Sequence, residues 1–409
     1  MTKIFSSLCI ALAALTSCKH SAPSPTPTAD PMADEDSLYI VVGSYDAGDT
    51  MGAVSIYAFD QNIGGAKLVS VYSGISNPSY AAPSADGSRI YVVSETEDRN
   101  ASLHALAFDR KTNKISELNS VLTNGQAPCH VAISPDGEYA VTANYLGNKD
   151  IGSISVFALR ADGAIQKRTD VFGITPSYED TTYTATYRSN YSVYYRVGIK
   201  GGYDKDIHTH AHYISFHPSG KKFTATDLGG SQLIEFGISP GYQLEKATHK
   251  VLPKGNGPRH IDYTPDRKFA YLINELSGTI TAFANEGDTL TTIAEYLADS
   301  TRSGASADIH VSPDGKHLYS SHRRQANYIA IHAIAPDGTL THIGTHTTPL
   351  HPRNFAISPN GKYIIVAGRD DNTIEVLARN SETGLLSKLP DNKGIIKTSK
   401  PSSIRFMMK

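Results

Sequence analysis

A short phrase recurs along this chain of 409 residues and limits its fold more than any other feature. An apolar run is followed by Pro-Asp-Gly or a near variant, then by a second apolar run. The copies are Ser134-Pro135-Asp136-Gly137, His217-Pro218-Ser219-Gly220, Thr264-Pro265-Asp266-Arg267, Ser312-Pro313-Asp314-Gly315 and Ser358-Pro359-Asn360-Gly361. Ser84-Ala85-Asp86-Gly87 is a weaker copy. Most neighbouring copies lie 46 to 50 residues apart, which is the length of one propeller blade.

Each unit holds four short strands rich in β-branched and aromatic residues, bounded by Gly, Pro, Asp and Asn. Units fall at 77–122, 127–172, 210–252, 257–297, 306–346 and 351–390. A first unit, Tyr39 to Tyr72, lacks the strand that should precede its turn. The chain ends in Pro401-Ser402-Ser403-Ile404-Arg405-Phe406, a strand with no partner after it. Joining the two ends makes an all-β, seven-bladed β-propeller closed by its C-terminal strand, with no exposed sheet edge at the seam. One stretch breaks the period. Residues 173–206 are dense in tyrosine, and Thr182–Tyr187 and Tyr191–Val197 alternate as a hairpin would. A lid over one face and a decorative loop are equally compatible with that pattern.

The N-terminus lies outside the repeat. Lys3 precedes an apolar run from Ile4 to Leu15, too short to span a bilayer as a helix. It ends in Leu15-Thr16-Ser17-Cys18, which resembles a bacterial lipobox with Cys18 as the lipidated residue. Residues 1–18 therefore read as a lipoprotein signal and 19–36 as a flexible tether. The expected location is outside the cytoplasm, in the periplasm or at the outer membrane, with membrane contact through the lipid alone. After that loss Cys129 is the remaining cysteine, and it reads as a buried small residue. The net charge of −2 and the lack of a basic block argue against nucleic-acid binding.

The recurring turn joins the first and second strands of each unit at one end, so the start of the first and the end of the second meet at the other. Those positions are polar: Cys129-His130, His210-Ala211-His212, Arg259-His260, Asp308 with His310, and Arg353-Asn354 before the turn. Asn144-Tyr145, Asp227, Asn274-Glu275, His322-Arg323 and Arg369-Asp370 stand after it. A rim of His and Arg with a few carboxylates suits a small anionic, polyoxygenated ligand, and a His or Glu there could activate water. His130 reads as a backbone-bonding residue. His317, His332, His342 and His346 fall away from the rim and are expected at the surface. A His-x-His pair near Asp308 and His310 has no established metal spacing, so no metal and no cofactor is expected.

Gly257-Pro258-Arg259-His260, Asn274-Glu275-Leu276, Ala307-Asp308-Ile309-His310 and Pro352-Arg353-Asn354-Phe355 closely resemble the motifs of the seven-bladed lactonase family. That family includes propeller-type 6-phosphogluconolactonases and carboxymuconate lactonising enzymes. The resemblance covers residues 38–409 and implies metal-independent hydrolysis of a sugar lactone. It implies His212, Glu275 and Arg259 as catalytic residues, with His212 and Glu275 both open as the base. Arg353, Asp308, His310, His260, His210 and Asn274 follow as substrate-binding residues. A lactonising isomerase and a non-catalytic carbohydrate- or protein-binding propeller fit the same rim. Oligomeric state is not legible.

Overall fold

The computed structural model describes residues 38–147, 151–174, 209–287 and 289–408, together with the backbone of 181–188 and 193–199. The signal, the tether and Cys18 lie outside the described residues, as does most of 173–206.

Seven sheets of at least four strands each follow one another along the chain. Six are built from consecutive strands. The seventh pairs the C-terminal strand Pro401–Met407 antiparallel with Leu38–Ser44, next to Ala53–Asp60 and Gly65–Ser73. The two chain ends thus complete a single blade, as the sequence predicts. The first strands of the blades are Ala81–Pro83, Gln126–Ile133, Ala211–Phe216, Pro258–Tyr263, Ser306–Val311 and Pro352–Ile357, with Pro401–Met407 as their counterpart at the seam. Each touches the next, and the seventh touches the first, so they form a closed inner ring.

Each recurring phrase is a tight reversal between the first and second strands of its blade. In the sixth blade Gly315 N–H donates to the Ser312 carbonyl at 2.8 Å. The Ser312 hydroxyl donates to Asp314 at 2.6 Å, and Asp314 accepts from Lys316 N–H at 3.1 Å. Proline presets the second turn position, and the Asp and Ser side chains satisfy backbone groups locally. The fourth position needs positive φ, which Gly315 supplies at 71° without strain. Arg267 holds the same place in the fifth blade at 56°.

Apolar cores lie between blades rather than within them. Seven clusters fill the seven junctions, such as Tyr319, Ile331, Phe355 and Val366 between the sixth and seventh blades. A tyrosine latch recurs at these junctions. Tyr91, Tyr271, Tyr319 and Tyr363 donate their hydroxyls to carbonyls of Gly163, Gly338, Gly384 and Asn62 in the following blade, at 2.7 to 3.0 Å. Such a buried bond contributes about 1 kcal/mol net.

One expectation needs correction. His317 and His332 are buried, 4% and 1% exposed, and His346 is half-buried, whereas His342 is exposed as expected. His317 packs where other blades carry a tyrosine or phenylalanine and meets Arg379 Nη2 at 2.9 Å, while His332 lies against the His342 ring. The insertion does contain a hairpin, Thr181–Arg188 paired with Val193–Ile199. Its two ends, Ile174 and Thr209, are tied by a hydrogen bond from the Thr209 hydroxyl at 2.9 Å. Ile174 follows the last strand of the third blade and Thr209 precedes the first strand of the fourth, so the insertion is rooted on the face opposite the recurring turns.

Candidate active site

The recurring turn sets the position of every side chain along the inner strands. Side chains three residues before the first turn residue, such as Ile261 and Ile309, enter the cores between blades. Strict alternation would send the residues five before into the same cores. A bulge intervenes. The pairing register skips Cys129, His212, Arg259 and Arg353 in their blades, and Ser402 at the seam. A bulge leaves one residue unpaired and re-aims its side chain. It turns these residues toward the channel mouth.

A second ring comes from the residues eleven after the first turn residue: Glu95, Tyr145, Glu275, Arg323 and Arg369. They stand at the end of the second strand of their blades or just past it, and the fourth blade carries Leu228 there. Tyr45 takes this place in the first blade. The two rings together form a cup.

In the cup Glu275 bridges two guanidinium groups. Its carboxylate lies 2.8 Å from Arg259 Nε and 2.8 Å from Arg323 Nη2. Arg259 Nη1 also donates to the Ala307 carbonyl and meets His260 Nε2 at 3.3 Å. Arg323 Nε donates to the Ala305 carbonyl at 2.9 Å, and Nη1 meets His351 Nε2 at 3.4 Å. Burial alone would raise the Glu275 carboxyl; Arg323, Arg259 and Arg353 outweigh it and hold the group below its ordinary range.

Arg353 differs from these two arginines. It lies over the Tyr45 ring at 5.3 Å and 3.8 Å from Glu95, and makes no hydrogen bond to the described residues. Glu95 accepts from Tyr45 at 2.7 Å and from the Ser79 hydroxyl. Arg369, over the same Tyr45 ring at 5.9 Å, pairs with Asp370 at 2.8 Å, so four guanidinium groups face three carboxylates, leaving one positive charge in excess. His212 is 4% exposed, and its Nδ1 has no hydrogen-bond partner among the described residues. Burial, then the charges of Arg259, His260, Arg353 and Arg323, push its pKa well below 6.5, so the ring is neutral at pH 7.

Beneath the cup a belt of side chains encircles the channel. Tyr80, His130, Tyr213 and His260 follow one another at ring-centroid distances of 4.3, 4.2 and 4.5 Å. His260 Nδ1 meets Asp308 at 2.7 Å, Asn354 donates to Asp308, and Arg405 Nη1 donates to Asn354 at 3.3 Å. Arg405 closes the loop by donating to the Tyr80 hydroxyl. His130 accepts from Ile214 N–H at 3.3 Å, in keeping with a backbone-bonding role.

The belt explains where the remaining expected residues fall. Asp308 is fully buried and accepts from His260, His310, Asn354 and the Phe355 N–H. It has no capacity left for a substrate hydroxyl and instead orients His260, which in turn meets Arg259. His310 sits one layer lower between Asp308 and Asp262. Burial opposes its charge, yet the two carboxylates raise it to about 10. Asn274 is fully buried and donates to Thr279 and Thr281 within its own blade, both at 2.9 Å. These three do not reach the cup. His210 does lie beside it, stacked on Tyr145 at 4.3 Å. Cys129 is buried, and burial pushes its thiol up, so it is no nucleophile. Among the described residues no group of three His, Cys, Asp or Glu could hold a metal ion.

Glu95, Tyr45 and His351 join the site without being among the residues the sequence singles out. Glu95 had a signal, since it stands eleven residues after Ser84 as Glu275 does after Thr264.

Comparison with known proteins gives the same picture. The family model described as lactonase, 7-bladed beta-propeller matches residues 39–406. The 6-phosphogluconolactonase of Formosa agariphila is 31% identical over 360 residues, spanning 85% of this chain and 94% of that protein. The crystal structure of a candidate 6-phosphogluconolactonase from Bacteroides fragilis superposes with a TM-score of 0.79 and 35% identity, over 92% of this chain and 99% of the other. The periplasmic gluconolactonase of Pseudomonas aeruginosa gives 0.76 and 26%, over 90% and 99%. With its residues 39–406 matched by the family model and 85% of its length aligned to a relative at 31% identity, this chain belongs to the seven-bladed β-propeller lactonase family.

Proposed function

We propose that the cup hydrolyses a sugar lactone without a metal ion, with His212 as general base and Arg353 as the holder of the carbonyl oxygen. One observation carries this reading. The other charged groups around Glu275 are engaged with one another, whereas the Arg353 guanidinium and the His212 Nδ1 lack hydrogen-bond partners among the described residues. The first offers donors to a developing oxyanion, and the second is a neutral base.

His212 takes a proton from water, and the resulting hydroxide adds to the lactone carbonyl carbon. The carbonyl oxygen becomes an oxyanion beside Arg353. A preplaced donor of that kind accounts for a factor of roughly 10²–10³ in rate, and a positioned base for about 10²–10⁴. Glu275 suits the base role less well, because both its oxygens already face guanidinium groups and its pKa is lowered. It keeps Arg259 and Arg323 in place. The single excess positive charge matches the one negative charge of the carboxylate product.

The lipobox-like segment ending at Cys18 supports an exported enzyme, and the periplasmic name of the P. aeruginosa relative is in line with it. Unphosphorylated aldonolactones are the substrate class expected there. Acid release from D-glucono-δ-lactone and from its 6-phosphate, above the spontaneous rate, tests both points. Turnover of both is expected, with the unphosphorylated lactone preferred. The kcat/KM profile should stay flat as pH falls through 6.5 and drop only below it, because His212 must be neutral and its pKa is depressed. A folded protein that releases no acid from either lactone rejects the reading.

A further inference from the structure

Tyr145 is the penultimate residue of the second strand of the third blade, Tyr139–Leu146, and belongs to the ring that also carries Glu275 and Arg323. Its ring is clamped. The His210 imidazole stacks on one face at 4.3 Å with 2° between the planes, and His210 Nδ1 donates to the Tyr145 carbonyl at 3.0 Å. The His212 ring meets it edge-on at 5.9 Å. Several other half-buried or buried tyrosines use their hydroxyls: Tyr45 on Glu95, and Tyr91, Tyr271, Tyr319 and Tyr363 on backbone carbonyls. The Tyr145 hydroxyl makes no hydrogen bond among the described residues. Burial, then the charge of Glu275, push this phenol up to about 12, and Arg259 and Arg353 act on it as well. It stays protonated at neutral pH, within reach of the groups that line the cup.

Opening a sugar lactone expels an aliphatic alkoxide, a poor leaving group that needs a proton as the bond breaks. We propose that Tyr145 is the acid that supplies it, a role that rests on the lactone-opening reading above. The oxyanion collapses to a carboxyl group, the bond between the carbonyl carbon and the ring oxygen breaks, and its electron pair takes the phenolic proton. The tyrosinate regains a proton from the His212 imidazolium, which holds the one taken from water. Lactone and water are consumed, hydroxy acid is formed, and both side chains return to their starting state. His210, through its stacking and its hydrogen bond to the Tyr145 carbonyl, is a positioning residue for the phenol.

The test compares leaving groups. Wild-type protein and Tyr145→Phe are assayed on D-glucono-δ-lactone, which releases an alkoxide, and on dihydrocoumarin, which releases a phenolate that needs no proton. The expected result is a fall in kcat on the order of 10²-fold on the sugar lactone, with KM unchanged, and no loss on the aryl lactone. Equal losses on both, or no loss on the sugar lactone, would overturn the assignment while leaving the lactonase reading intact. A wild type inactive on both overturns that reading and this role with it.

Discussion

Replacing Arg353 with alanine is expected to lower kcat/KM for a sugar lactone by roughly 10²–10³-fold and to leave stability nearly unchanged. The asymmetry follows from its contacts. Arg353 makes no hydrogen bond to the described residues, its nearest carboxylate is 3.8 Å away, and Tyr45 packs under it. Removing it takes away donors that make no hydrogen bond to the described residues, and Glu95, its ion-pair partner, keeps its hydrogen bonds from Tyr45 and Ser79. Steady-state kinetics alongside chemical denaturation checks this. A fall in activity matched by a fall in the denaturation midpoint would mean that Arg353 is structural, and unchanged activity would remove it from the reaction.

Glu275→Gln should have the opposite profile, with a large loss of stability. The substitution keeps the shape but removes the charge that two buried guanidinium groups share, and leaving buried charges without a partner costs about 3–5 kcal/mol. Urea denaturation at pH 7 measures it, and a midpoint equal to wild type contradicts the account. The pH dependence has a definite sign. The Glu275 pKa is lowered on folding, so its contribution is present above the unfolded carboxyl pKa and is lost as pH falls through the folded one. The difference between wild type and Glu275→Gln should therefore shrink in acid. Turnover should fall as well, since Arg259 and Arg323 lose the group that aims them.

Much of this arrangement is legible in the sequence because the turn repeats. Counting from each copy locates the blades and the closing strand. It also places His212, Arg259, Glu275 and Arg353 on one face. The bulge is not legible that way. It turns Arg259 into the cup while His260, one residue on, enters the belt, and no spacing rule separates them in advance. Asp308 and His310 look equally suited to substrate until the belt accounts for Asp308's hydrogen bonds and places His310 one layer lower. Asn274 adjoins Glu275 in sequence, but strand alternation turns it back into its own blade. Tyr45 escapes notice for another reason. The first blade takes its inner strand from the C-terminus, so it has no turn from which to count.

The measurement that bears most directly on the central claim is imidazole rescue of His212→Ala. The account predicts that the variant folds, loses on the order of 10²–10⁴ in kcat on a sugar lactone, and recovers turnover in proportion to added imidazole at a pH where imidazole is neutral. A His212→Ala protein that turns over at the wild-type rate without imidazole would contradict it.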